Sequence, residues 1–420
     1  MIMFRKLITL EKALERIKRN IKIKPLGIEE VSLMEAYSRI LAEDIIAPID
    51  VPHFRRSTMD GYAVRAEDTF GASEDNPKKL KLVNKIEIGE LAKVKVGFGE
   101  AVEVSTGSMV PEGANAVLML EHAEKINNEI IVFKATSPGE NIIEVGFDIK
   151  KGEKILFKGE FLSARKLGIL ASLGIPRVKV YRKPKVAIIS TGCELLSPGN
   201  QLKPGKIYDI NSTTISASVV ECGGIPNFLG IFADKYEDIR KVVSSALSNY
   251  DIVILSGGTS VGVTDIVREV INGLGEPGII IDGVRIKPGK PTIVGVVKRK
   301  PIFCLPGHPM SSLMTFHIFV APVIRGFSGM PNLKPKIVKA ELAVRVIPAS
   351  GRINFIPVKL IRENGKLKAY PILKGSSAIT SLAKADGYFK TDINANVVLE
   401  GKQIEVYLFP DFSLGGKDID

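Results

Sequence analysis

The chain has 420 residues, 45% of them hydrophobic, and a formal net charge of +12. That length exceeds one ordinary core and predicts three or four domains. Three widely spaced cysteines, Cys193, Cys222 and Cys304, and only four histidines exclude a disulfide framework and a cysteine-built zinc site.

No stretch approaches ~18 uninterrupted apolar residues, so no membrane span is expected. The N-terminus carries Arg5 and Lys6 without the apolar run and cleavage site of a signal peptide, and a cytoplasmic protein is expected. The positive charge is scattered, with no block of roughly five or six like charges, so no nucleic-acid partner is expected. Such a field suits small polyanions, nucleotides and oxyanions among them.

Leu10, Ala13, Leu14, Ile17 and Ile21 recur at helical spacing after Thr9, a plausible N-cap. A second helix is predicted over 33–41, with Ser32 and Glu35 at capping-box spacing. Residues 79–135 read as short strands separated by turns, and 137–156 as a second small β segment. Two loops before residue 115 are rich in hydroxyls and glycine: Ser57-Thr58-Met59-Asp60-Gly61, and Ser105-Thr106-Gly107 running on to Pro111-Glu112-Gly113-Ala114. A helix over 163–173 closes at Gly174.

From Pro184 the pattern alternates strand and helix, as in a doubly wound, mostly parallel sheet. Strands are predicted at 186–190, 227–232, 252–255, 278–281, 292–297 and 301–305. Helices are predicted at 213–222, capped by Asn211 or Ser212, at 236–247, at 265–274 and at 311–324. The centre of this pattern is Asp251 to Asp265, an apolar strand that breaks at Ser256-Gly257-Gly258-Thr259-Ser260 before a helix. A strand, a glycine turn and a helix N-terminus together can cradle phosphate. The loop is not a Walker A motif, because Val263 stands where the lysine belongs. The cation must come from elsewhere, and Lys287-Pro288-Gly289-Lys290-Pro291 is the obvious donor. Ligands of such sheets bind beyond the carboxyl ends of the strands. Glu194, Asp234, Asp265, Lys287, Lys290 and the Pro306-Gly307-His308-Pro309 turn all follow strands. Asp265 has a second reading, as a cap of its own helix. After Lys334, short alternating strands predict a small β domain.

Six motifs in order carry a resemblance. They are Ser57 to Ala63, Ser105 to Ala114, Ser190-Thr191-Gly192-Cys193-Glu194-Leu195, Ser256 to Gly262, Lys287 to Pro291 and Leu305 to Pro309. Together they resemble the molybdopterin molybdenumtransferase family, to which the C-terminal domain of gephyrin belongs. The sequence departs from the family pattern at Cys193, where Asp is usual, and at Gly283, where a bulky residue is usual.

The resemblance implies an α/β multidomain chain. A doubly wound, mostly parallel sheet of molybdopterin-binding type would be joined to N-terminal β-rich domains and a small C-terminal β-barrel-like domain. The implied boundaries are 1–50 with 137–181, then 51–136, 182–332 and 333–420. The implied activity is Mg2+-dependent hydrolysis of adenylated molybdopterin, releasing AMP, with insertion of molybdate or tungstate into the dithiolene. The implied assembly is a homodimer, with the adenylating enzyme of the pathway as a possible further partner.

Carried over by position, Asp60 and Thr106 would face the cleft from the N-terminal part. Glu194, Asp234 and Asp265 would hold magnesium and position water, beside the loop of Ser256, Gly257, Gly258, Thr259 and Ser260. Lys287, Lys290, Ser311, Arg352 and Ser376 would bind phosphate or oxyanion, with Pro306 and Pro309 shaping the rim. Two other readings are a non-catalytic molybdopterin carrier or scaffold, and a pterin-adenylating enzyme on the same core.

Overall fold

The computed structural model describes residues 7–257, 263–331, 336–373, 375, 378 and 380–409. Gly258, Thr259, Ser260 and Ser376 lie outside them. The chain forms two compact units. The larger comprises Met1–Glu29, Ser38–Ile40 and Val180–Asp420, and the smaller Glu30–Tyr37 and Leu41–Lys179.

The larger unit is built on a six-stranded sheet. Its spatial order is Ile225–Phe232, Lys185–Thr191, Ile252–Gly257, Lys300–Leu305, Ile293–Val297 and Pro277–Asp282. The first four strands are parallel, and Ile293–Val297 runs antiparallel to both of its neighbours. Both faces are covered, which is why these strands read as continuous apolar runs rather than as alternating ones. Val186, Ile188, Ile254, Phe303 and Leu305 pack on one face against Ala13, Ile17, Ile215, Val219 and Phe319. Ala187, Ile189, Val253, Leu255 and Cys304 pack on the other against Ile239, Val243, Val267 and Val270. The Leu10–Asn20 helix thus belongs to the core of this sheet.

The helix Pro309–Thr315 continues through a π-helical turn, Phe316–Val320, into Ala321–Phe327. Pro322 lacks the N–H that would continue the regular ladder, which accounts for the irregular turn before it. This stretch is long and apolar enough to cross a membrane, but 67% of its apolar window is buried inside the fold. Its length reflects a core position.

The C-terminal part of this unit is a closed ring of five strands: Ile353–Glu363, Lys366–Pro371, Ile337–Leu342, Gln403–Leu408 and Gly387–Lys390, which pairs back to the first. Closure removes the open sheet edges. The two-residue strand Ile286–Lys287 adds to the outside of this ring, parallel to Ile353–Glu363, with Lys287 opposite Asn354. The last strand in sequence starts only at Gln403. Val398 only bridges Val346, and Gly401 turns the chain between them.

The smaller unit holds another six-stranded sheet, with cores on both faces around Val64, Leu118 and Ile130, and around Val102, Val104 and Val117. Gly61 permits the close pairing at its centre, because a Cβ there would lie 2.0 Å from Leu118 O. The helix expected over 33–41 keeps its capping box but ends at Ala36. Leu41 N–H instead donates to Glu160 O at 2.9 Å and Ala42 N–H to Lys179 O at 2.8 Å, so tertiary pairing overrides helical propensity.

Candidate functional site

The sheet of the larger unit places its polar loops at the carboxyl ends of its parallel strands. Gly257 closes the Ile252–Gly257 strand with φ of 101°. A Cβ there would lie 2.2 Å from Thr191 O, so the end of this strand sits directly against the end of Lys185–Thr191. Gly307 lies in ordinary contact with the same point, since a Cβ added to it would be 3.6 Å from Gly257 Cα.

Asn211 stitches these loops together. Its Nδ2 donates to Ser256 Oγ and to Gly307 O, each at 2.8 Å. Gly307 O can only accept, which fixes the orientation of the amide. Asn211 is therefore the first residue of its helix and not the cap. Asp209 takes over that role: its Oδ1 accepts from Ser212 N–H at 3.1 Å, and its Oδ2 from Ser190 Oγ at 2.6 Å. Asn211 Oδ1 is buried and unpartnered.

The three carboxylates singled out from the sequence differ in setting. Glu194 folds back over Gly192, where an added Cβ would lie 2.7 Å from Glu194 Oε2. Asp234 follows the edge strand, and its Oδ1 is buried without a hydrogen-bond partner. Burial pushes the Asp234 carboxyl above its ordinary pKa and the Glu194 charge adds to the rise. The Thr191 hydroxyl beside it opposes the rise without reaching hydrogen-bond geometry. Asp265 lies in the first turn of Val263–Gly273, strongly exposed and ion-paired to Arg268. That guanidinium also grips Asp282 through two bonds of 2.9 and 2.8 Å. Among the described residues, no group of three His, Cys, Asp or Glu side chains is arranged to hold a metal ion. The chemistry of a hard cation is nevertheless met by two of them. Asp234 offers an orphaned carboxylate oxygen, Glu194 lies near enough to perturb it, and Mg2+ typically takes one or two carboxylates with phosphate and water.

A cavity of 340 Å³ opens between the sheet loops and the C-terminal ring. The Lys287-to-Pro291 turn forms one wall, held by Thr292 Oγ1 donating to Gly289 O at 2.7 Å. Ser311 enters from the Pro309–Thr315 helix, and Arg352 from the turn before Ile353–Glu363. The structure thus brings Lys287, Lys290, Ser311 and Arg352 to one cavity, with Gly375 on its rim next to Ser376. No described carboxylate lies within ion-pair distance of the three cationic head groups. Their mutual repulsion favours an anion between them. Apolar side chains such as Ile347, Phe355 and Leu373 line the rest.

Pro309 begins the helix that carries Ser311, and Pro306 is buried in the preceding turn; neither lines the cavity. His308 and Asn354 line it too. Neither was singled out from the sequence, although His308 stands inside a recognised turn. In the smaller unit, Asp60 and Thr106 meet directly: Asp60 Oδ1 accepts from Thr106 N–H at 2.7 Å and from Thr106 Oγ1 at 3.1 Å.

Comparison with known proteins accounts for most of the chain. Residues 8–174 match the MoeA N-terminal region (domain I and II), 187–326 a probable molybdopterin binding domain, and 339–409 the MoeA C-terminal region (domain IV). A putative molybdopterin biosynthesis protein of Methanocaldococcus jannaschii is 38% identical over 96% of both chains. A molybdopterin molybdenumtransferase of Bacillus subtilis is 34% identical over 90% of this chain and 89% of its own. A crystal structure of a molybdopterin biosynthesis protein from Pyrococcus horikosii has a TM-score of 0.82 and 44% identity, covering 97% of this chain and 100% of that one. The expected fold class stands, with its molybdopterin-binding type sheet and C-terminal barrel. The chain belongs to the molybdopterin molybdenumtransferase family, and with it to the transferase enzymes.

Proposed function

We propose that this enzyme acts in molybdenum cofactor biosynthesis, cleaving adenylated molybdopterin to release AMP and inserting molybdate or tungstate into the dithiolene. The observation that carries the reading is the convergence of Lys287, Lys290 and Arg352, with Ser311, in one cavity and without carboxylate partners among the described residues. A tetrahedral dianion wants such cationic and hydroxyl donors. The apolar wall beside them suits the organic part of an amphipathic substrate.

In this reading Glu194 and Asp234 hold the cation. Mg2+ would supply charge neutralisation on the phosphates of the adenylate. Asp265 stays ion-paired to Arg268 until substrate arrives, and then serves to orient the attacking water. Ser256 and Gly257, at the carboxyl end of the central strand, serve the phosphate in the same reading. Asp60 and Thr106 act as one hydrogen-bonded unit toward the substrate. Domain boundaries at 50, 137, 182 and 333, a homodimer, a cytoplasmic site and contact with the adenylating enzyme belong to the same proposal.

The test is AMP release from adenylated molybdopterin by the purified protein, with and without Mg2+ and molybdate. Release that requires both supports the reading. Tight binding with no release would instead make the protein a carrier.

A further inference from the structure

Asn354 is the most completely hydrogen-bonded side chain around the cavity. It is buried, at 3% exposure, at the start of the Ile353–Glu363 strand. Its Oδ1 accepts from Ala349 N–H at 3.0 Å. Its Nδ2 lies within hydrogen-bond distance of Ala349 O at 3.1 Å, Arg352 O at 2.9 Å and Thr391 Oγ1 at 3.2 Å. Its own N–H donates to Thr391 Oγ1 at 3.2 Å. The amide therefore grips both ends of the turn 349–352, including the peptide of Arg352 itself. Across the parallel pairing, the same residue stands opposite Lys287. One residue thus joins the two segments that bring Lys287 and Arg352 to the cavity, by its side chain on the Arg352 side and by strand pairing on the Lys287 side.

The turn has little else to hold it. Gly351 stands at φ of 71°, and its N–H donates to Ile393 O at 3.1 Å. Ser350 and Arg352 are not in the buried core, so apolar packing does not set the direction of the arginine. An arginine on a short turn keeps a useful geometry only if its backbone is fixed, because its long side chain otherwise spreads over many rotamers.

We propose that Asn354 is a positioning residue for oxyanion binding: it fixes the 349–352 turn so that the Arg352 guanidinium meets the anion held by Lys287 and Lys290. This rests on the reading of the cavity as the oxyanion site. Asn354 makes no contact with the anion; it acts through Arg352. This role is separable from mere stability, because Thr391 shares the network while its side-chain hydrogen bonds reach neither Ala349 nor Arg352.

The experiment is a double-mutant cycle on the full chain. It measures the half-saturating molybdate concentration for AMP release in wild type, Asn354→Leu, Arg352→Ala, the double variant and Thr391→Val, with thermal unfolding alongside. Asn354→Leu is expected to raise half-saturating molybdate roughly tenfold, with turnover at saturating molybdate changed by less than about twofold. In the Arg352→Ala background the same substitution should add less than about twofold. Thr391→Val should lower thermal stability and leave half-saturation unchanged. If Asn354→Leu does not fold, Asn354→Ser replaces it, since a serine hydroxyl cannot span from the strand to Ala349. A full additive effect on Arg352→Ala, or an equal effect of Thr391→Val, overturns the positioning role alone. An unchanged half-saturation in Arg352→Ala overturns the oxyanion reading itself, and the positioning role with it.

Discussion

Asp60 and Thr106, 46 residues apart, are bound to each other twice through a single carboxylate oxygen, Asp60 Oδ1. Ser57 extends the link, since its carbonyl accepts from Gly107 N–H at 2.8 Å. The two polar loops of the smaller unit therefore form one surface feature. Asp60→Asn keeps an oxygen able to accept these bonds and removes only the charge. It should leave the unfolding temperature within about 2 °C while lowering AMP release at least about tenfold. Calorimetry and the release assay check this together. A large fall in stability without a specific loss of turnover would make the pair structural.

Lys287 and Lys290 are exposed on either side of a buried Pro288-Gly289 turn that packs against Thr315, so their head groups can be removed without touching the core. Each hydrogen bond to a charged partner contributes about 1.5–3 kcal/mol, so Lys287→Ala and Lys290→Ala should each raise half-saturating molybdate roughly ten- to hundredfold. The loss should be smaller at high salt, where chloride already screens the site. Titrations at two ionic strengths decide it.

Asp234 links pH to cation binding. Its carboxyl titrates above its ordinary value, chiefly through burial, so it remains protonated to higher pH than a free carboxylate. Cation binding needs the ionised form. Half-saturating Mg2+ should therefore rise as pH falls through this raised range, and Asp234→Asn should weaken Mg2+ binding and flatten the dependence. For stability the sign is opposite. The folded state holds this proton more tightly than the unfolded chain, so this group's contribution declines as pH rises through its folded pKa. Asp234→Asn should remove that decline in pH-dependent unfolding.

Gly257 cannot carry a side chain without moving Thr191. A Cβ would lie 2.2 Å from a backbone oxygen, and the φ of 101° is unfavourable for any L-residue. Gly257→Ala should cost at least about 2 kcal/mol in denaturant unfolding. Gly307→Ala, whose Cβ would meet among the described residues only Gly257 Cα at 3.6 Å, should cost far less.

Much of the architecture was legible because both faces of the main sheet are covered. Burial on both sides forces runs such as Ile252–Leu255, and glycine ends them where loops must pass closely. The two lysines stood out as cations flanking a Pro-Gly turn, a local signal, whereas Arg352 came only from the family resemblance. What the chain hid is non-local. Nothing in the sequence around Asn211 says that its amide reaches Gly307, 96 residues on. Nothing around Asp265 says that its neighbour Arg268 is shared with Asp282. The register that sets Lys287 opposite Asn354 likewise depends on how a two-residue strand docks on a distant ring. The helix over 33–41 stopped early for a related reason: the backbone at Leu41 had a better partner at Glu160.

The proposed chemistry depends on an anion in the cavity. Equilibrium titration of the purified chain with molybdate, by isothermal calorimetry, tests it directly beside Lys290→Ala and Arg352→Ala. The account predicts one molybdate bound per chain, displaced by tungstate, and weakened at least about tenfold by either substitution. Binding of unchanged affinity in both variants would contradict it.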